Sequence, residues 1–224
     1  PYLNYTAPNP PKRIAVVGAG PAGLACATVA AKRGHQVTLF DASPKIGGQF
    51  NLAKTIPGKE EFHETIRYFG RQLELTKVEQ RLGVRVDADA LKDYDEVVLA
   101  TGITPRKINF PGIDHAKVCS YIDVLTGKVV PGKKVAVIGA GGIGFDVSEY
   151  LVHEGDSSTL DKDRWMHEWG VKPDFTGRGG LTRPQPETPV RDVWLLQRTE
   201  GKIGAKLGKT TGWIHRSTLK AKGV

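Results

Sequence analysis

Apolar residues in this 224-residue chain gather in short runs that lead into glycine. Arg13 to Val17 reads as a buried parallel strand that runs straight into Gly18. From Pro21 to Lys32, Leu24, Ala25, Ala27, Val29 and Ala30 build a small, apolar helix, and Gly34 follows as its stop. Gln36 to Phe40 is a second strand, so one βαβ unit is complete in about 30 residues. Ser43 to Gly58 is turn-rich. A charged helix is predicted over roughly 59–75, with short strands near 80–86 and at 96–100. Pro105, Pro111, Gly112, Gly127, Pro131 and Gly132 mark a crossing between domains. The pattern then restarts with a strand at 134–138, a glycine-rich turn at 139–144, a helix at 143–153 and a strand at 192–197. Residues 155–191, which hold Trp165 and Trp169, exceed what a βαβ crossover needs and read as an insertion.

Composition narrows the classes. Hydrophobic residues make up 39% and charged residues 25%, as in ordinary globular proteins. No run of 18 apolar residues occurs, which excludes a membrane-spanning helix in this sequence. No charged-then-apolar segment with a small-residue cleavage site opens it, and a cytoplasmic setting is expected. The two cysteines, Cys26 and Cys119, exclude a disulfide scaffold, a Cys-x-x-Cys redox pair and a four-cysteine metal or iron–sulfur site within these residues. A net charge of +8 attracts polyanions, either nucleic acid or phosphate-rich cofactors. The lysines are not interleaved with aromatics on any readable helix, so nucleic acid is not an expected partner. The opening Pro1-Tyr2-Leu3-Asn4 and the close at Lys222-Gly223-Val224 read as cuts through a longer chain.

Two glycine motifs carry the chemistry. In Gly18-Ala19-Gly20-Pro21-Ala22-Gly23, the first glycine allows a tight strand-to-helix turn. The second lets backbone approach a pyrophosphate, and the third lets helix and strand pack closely. The helix start adds unpaired N–H groups and a positive dipole end. Asp41 ends the next strand about 20 residues on, where an acid accepts from a ribose and repels a 2′-phosphate. Gly48 and Gln49 in Gly47-Gly48-Gln49, and Thr101 in Ala100-Thr101-Gly102, extend this site and point to FAD. The second motif is Gly139-Ala140-Gly141-Gly142-Ile143-Gly144, with Gly141, Gly142 and Ile143 at the turn. Its following strand ends in Gln197-Arg198 rather than an acid, with Lys202, Lys206 and Lys209 close behind. A cation in place of the acid suits a 2′-phosphate, so NADPH is expected over NADH. The expected fold is α/β with two Rossmann-like dinucleotide-binding domains, the first at 1–105, a crossing at 106–124 and the second at 125–224.

No His/Cys/Asp/Glu cluster has metal-ligand spacing. His63, His115, His153, His167 and His215 read as surface or packing residues, and Cys26 as a buried small residue. Asp146 is placed in the first turn of the second motif's helix, where an acid suits the dipole.

Several runs resemble bacterial NADPH-dependent 2,4-dienoyl-CoA reductase. They are the stretch from Arg13 to Leu24, Gly34 to Asp41, Ile46 to Asn51, Ile56 to Phe62, and Ile138 to Asp146. The most specific is Leu207-Gly208-Lys209-Thr210-Thr211-Gly212-Trp213-Ile214-His215-Arg216. The resemblance extends over essentially the whole chain and is weakest at 155–191. It implies that Lys209 and Arg216 also serve NADPH. It further implies a preceding barrel with FMN and a 4Fe-4S cluster, where an acyl-CoA substrate binds, and a final FAD-domain segment beyond Val224. Electrons would pass from NADPH through FAD, the cluster and FMN to a 2,4-dienoyl-CoA in β-oxidation of unsaturated fatty acids. These residues would be the electron-input half, with no catalytic acid or base and no metal of their own. Trimethylamine dehydrogenase and related amine or enone enzymes share the architecture, and a non-catalytic nucleotide-binding module is a further alternative. Oligomeric state is not legible.

Overall fold

A computed structural model describes residues 5–174 and 176–224. The opening residues 1–4, read above as a cut end, lie outside the described residues, as does Phe175 within the insertion. The chain divides into two compact units. One runs up to Lys54 and resumes over Glu61–Ile113; the other takes Thr55–Glu60 and Asp114–Val224. The stretch 106–124, expected as one crossing, is thus shared between them, and a hexapeptide from within the first half belongs to the second unit.

The first unit forms where side-chain alternation allows a two-sided parallel sheet. Strands β1 (Arg13–Val17) and β2 (Gln36–Asp41) flank helix α1 (Pro21–Lys32) in sequence. Ile14 pairs with Val37 and Val16 with Leu39, so these four point to one face. There they meet Leu24 and Ala27 of α1 and Leu73 of a later helix in a single buried cluster. A short helix α2 (Phe50–Ala53) precedes helix α3 (Phe62–Leu75). The exposed side of α3 carries the pairs Glu64–Arg67 and Arg71–Glu74, each spaced i, i+3 on the helix surface. Strands β3 (Glu79–Leu82) and β4 (Glu96–Leu99) complete a parallel sheet in the order β3-β2-β1-β4. The chain leaves β1 toward β2 and later returns on its other side as β4. The strand order therefore reverses beside β1, and the crevice at its C-terminal end is where ligands of such sheets bind. On the opposite face Phe40 is sealed by the ring of Tyr94, edge-on at 5.9 Å, and by Arg81.

The second unit opens with helix α4 (Tyr121–Leu125), capped by Ser120, whose hydroxyl accepts the Asp123 N–H. Strands β5 (Lys134–Ile138) and β6 (Asp192–Leu196) pair in parallel, joined through helix α5 (Gly142–Val152). Val193 and Leu195 lie on the α5 side; Ile138 and Trp194, on the other, are 62% and 51% exposed. The insertion is a folded element. Its helix α6 (Lys162–Trp169) is capped by Asp161, which accepts from the Asp163 and Arg164 N–H groups, and stopped by Gly170 at φ +68°. A charge network moors it to the end of the last helix, α7 (Gly212–Ala221). Lys222, 8% exposed at its side chain, lies 3.3 Å from Glu168 and 3.6 Å from Glu187, and Glu187 also binds Arg164. No described helix is long and apolar enough to cross a membrane.

Candidate functional site

In each unit the first strand runs into a glycine whose N–H is held by the second strand. Gly18 N–H donates to Phe40 O at 2.7 Å, and Gly139 N–H to Leu196 O at 2.9 Å. Both glycines hold positive φ, +112° and +117°, which a side chain resists. The third glycine of each motif lies against the first: a Cβ on Gly23 would overlap Gly18 O, and one on Gly144 would overlap Gly139 O. Above the second glycines there is space. A Cβ at Gly20, Gly141 or Gly142 meets no atom within 4 Å. This is the cradle a pyrophosphate needs, with backbone approachable and helix packed on strand.

The helix starts supply donors. The first intrahelical bonds are Leu24 N–H to Gly20 O and Phe145 N–H to Gly141 O. The N–H groups before them, those of Ala22, Gly23, Gly142, Ile143 and Gly144 among them, have no place in the helical ladder. Neither helix has a side-chain cap or an acid in its first turn, so both starts favour an anion. Asp146 is the fifth residue of α5, past the first turn where the sequence reading put it. Its partner is not the helix dipole but the Lys59 ammonium, 2.6 Å away.

In the first unit three segments converge on the loop. Asp41 accepts the Ala19 N–H through Oδ2 at 2.6 Å and the Ser43 N–H through Oδ1 at 2.7 Å. Each oxygen keeps a lone pair that a ribose hydroxyl could use. Gly47 donates to Ala19 O at 2.8 Å, and a Cβ on Gly48 would stand 2.9 Å from Gly20 Cα. Gln49 donates to Ile103 O at 3.3 Å. The end of β4 closes from the other side: a Cβ on Gly18 would overlap Ala100 O and stand 3.0 Å from Thr101 N. Gly18, Gly20, Ala22, Gly23, Asp41, Gly48, Gln49 and Thr101 thus gather around one loop at the end of β1.

In the second unit Gly141, Gly142 and Ile143 form the corresponding turn, and Ile143 is half exposed. Gln197, Arg198 and Lys202 follow β6, with Arg198 and Lys202 on the surface. The run 207–216 is packed within the second unit. Gly212 N–H donates to Gly208 O at 2.7 Å, and a Cβ on Gly204 would stand 2.6 Å from the Phe145 ring of α5. Arg216 Nη1 donates to Gly204 O at 3.1 Å, so this guanidinium braces the turn. Lys209 is exposed on that turn.

Sequence spacing showed no cluster of chelating residues, yet the fold makes one. Asp146 and Glu149 of α5 and His215 of α7 bring ligand atoms within 4.8 Å of one another. Glu149 is 7% exposed, and burial pushes its carboxyl above the usual carboxylate range against the pull of His215. His215 Nδ1 shares a 2.8 Å hydrogen bond with Glu149 Oε1, while Lys59 balances Asp146. The group joins α5 to α7 and to the 55–60 segment. The i, i+3 spacing of Asp146 and Glu149 was the only sequence signal for it.

Residues 12–178 match the family described as pyridine nucleotide-disulphide oxidoreductase. The chain is 37% identical over 186 residues to N,N-dimethylglycine/sarcosine dehydrogenase of Chromohalobacter salexigens, covering 79% of this chain and 26% of that one. It is 32% identical to a metal reductase of Desulforamulus reducens, covering 97% and 32%. Among solved structures, 2-naphthoyl-CoA reductase in complex with 2-naphthoyl-CoA superposes with a TM-score of 0.76 at 28% identity, covering 98% of this chain and 28% of that one. The chain therefore spans about a quarter to a third of the length of these relatives.

Proposed function

Because this chain belongs to the pyridine nucleotide-disulphide oxidoreductase family, we propose that it is the electron-input half of a flavoenzyme of the 2,4-dienoyl-CoA reductase type. When both cofactors are bound, NADPH supplies a hydride that the FAD isoalloxazine accepts. The work of these residues is to hold and select the two dinucleotides. Gly18, Gly20, Ala22, Gly23, Asp41, Gly48, Gln49 and Thr101 would hold FAD. Gly141, Gly142, Ile143, Arg198 and Lys202 would hold NADPH, with Lys209 beside them and Arg216 supporting the turn. The observation that carries the reading is the pairing of two like glycine cradles with unlike strand ends, Asp41 in one and Gln197-Arg198 in the other. The family's dithiol chemistry is not part of the reading, since Cys26 and Cys119 form no Cys-x-x-Cys pair.

An acyl-CoA acceptor is supported by the likeness to 2-naphthoyl-CoA reductase across nearly the whole chain. The acceptor, the FMN and the 4Fe-4S cluster would belong to other parts of a longer, cytoplasmic protein. A second reading, oxidation of an amine, is favoured by the 37% identity to N,N-dimethylglycine/sarcosine dehydrogenase. Anaerobic NADPH oxidation by the full-length protein, with a 2,4-dienoyl-CoA as acceptor and NADH as control, separates them. Acceptor-dependent consumption that prefers NADPH is expected. Bleaching of the flavin by NADPH without any response to dienoyl-CoA would leave the electron-input role and remove the substrate. A flavin that stays oxidised would make the second site structural.

Arg198→Ala is expected to weaken NADPH binding by about 1.5–3 kcal/mol, the range of a hydrogen bond to a charged group, while leaving NADH unchanged. Titration of both nucleotides checks it, and an equal loss for the two would remove Arg198 from the 2′-phosphate.

A further inference from the structure

The register of the two units sets Asp41 and Gln197 in equivalent places. Val17 pairs with Phe40 and Ile138 with Leu196, and the glycine N–H bonds to Phe40 O and Leu196 O repeat the match. The next residue is Asp41 in one unit and Gln197 in the other. Each reaches the backbone two residues on, but with opposite polarity. Asp41 accepts the Ser43 N–H, whereas Gln197 Nε2 donates to Thr199 O at 2.8 Å and to Gly201 O at 3.4 Å. Gly201, at φ +104°, makes the reversal that brings its carbonyl back to the amide. The turn that carries Arg198 and Lys202 is thus closed by the Gln197 side chain. Asp41 also ties down its own glycine loop through Ala19; the bonds of Gln197 go to the turn that follows it.

We propose that Gln197 is a positioning residue for nucleotide selectivity: its amide closes the 198–202 turn so that Arg198 and Lys202 meet the 2′-phosphate of the dinucleotide. The proposal rests on the reading of the second cradle as an NADPH site. An amide is suited to the place on two counts. It donates, as the inward carbonyls require, and it carries no charge to repel a phosphate. A carboxylate there could make neither bond.

The test is calorimetric titration of the full chain with 2′,5′-ADP and 5′-ADP, repeated for Gln197→Ala and Gln197→Glu. Loss of the closing bonds is expected to weaken 2′,5′-ADP roughly tenfold in Gln197→Ala, the equivalent of about one hydrogen bond, with 5′-ADP unchanged. Gln197→Glu is expected to weaken 2′,5′-ADP further, because the new carboxylate adds repulsion. A merely structural role would move both probes alike. Equal weakening of both, or no change in either, with wild-type preference intact overturns the proposal. A wild-type chain that binds the two probes equally overturns the NADPH reading itself, before any substitution is made.

Discussion

Gly23→Ala and Gly144→Ala are expected to lower the melting temperature by about 6–12 °C, whereas Gly20→Ala and Gly141→Ala leave it nearly unchanged and lose nucleotide instead. At the third glycine an added Cβ falls on the carbonyl oxygen of the first, Gly18 or Gly139. That oxygen is backbone and cannot rotate away, so the helix must lift from the strand. Overpacking of this kind costs about 3 kcal/mol at the upper end of its usual range, which converts to that shift for a chain of this size. At the second glycine the backbone is extended, with φ of −76° and −86°, and no atom stands within 4 Å of the new Cβ. An alanine there should cost the free protein less than about 1 kcal/mol. It would occupy the space over the helix start, so FAD retention should fall in Gly20→Ala and NADPH affinity in Gly141→Ala. Thermal melts beside nucleotide titrations read both effects. If Gly20→Ala melts early while keeping its flavin, the space above Gly20 is not the pyrophosphate site.

His215→Ala is expected to destabilise the second unit by roughly 1–3 kcal/mol, the usual loss when a buried polar group keeps its burial and loses its partner. The stranded group is Glu149, whose carboxyl is already pushed up by burial and held back chiefly by His215. Glu149→Gln should cost less at neutral pH, since an amide can still bond the imidazole and carries no charge to bury. The pH dependence has a defined sign. The folded state binds the Glu149 proton more tightly than the unfolded chain does. Stability from this group is therefore present at low pH and is lost as pH rises from the ordinary carboxylate value through the raised one. The Glu149→Gln variant should lack that decline. Urea melts across this window test it, and parallel profiles for wild type and Glu149→Gln would show that the carboxyl is not the titrating group.

Both strand–glycine–helix units were legible because their signals are local. A buried strand needs a run such as Ile14 to Val17, and the glycine spacing is set by backbone geometry that no other residue satisfies. Element ends moved by a few residues. The charged helix begins at Phe62, not near 59, because the chain first turns through Glu60 and Glu61. Helix α4 was hidden among the prolines and glycines of the crossing, although Ser120 is an ordinary cap. Helix α6 was hidden in the insertion, although Asp161 and Gly170 bracket it. The meeting of Asp146, Glu149 and His215 was not legible. It depends on α7 packing against α5, a tertiary event that the i, i+3 spacing of Asp146 and Glu149 does not announce by itself. The bond from Arg216 to Gly204 O was not legible for the same reason: a backbone carbonyl leaves no mark in a sequence.

The hexapeptide Thr55–Glu60 gives the chain an interleaved assembly order. Lys59 and its partner Asp146 are 87 residues apart in sequence, and the rest of the first unit, Glu61–Ile113, is synthesised between them. On a ribosome the peg emerges long before the helix it serves, and it must wait unpaired while the later strands of the first unit form. Long-range closures of this sort slow folding. They also defeat simple cutting. A fragment started at Asp114 would contain every strand of the second unit yet lack its Lys59, leaving Asp146 and Glu149 as adjacent acids without their cation. Grafting the second unit between related enzymes would accordingly require moving two separate stretches of gene, six codons from one place and the remainder from another.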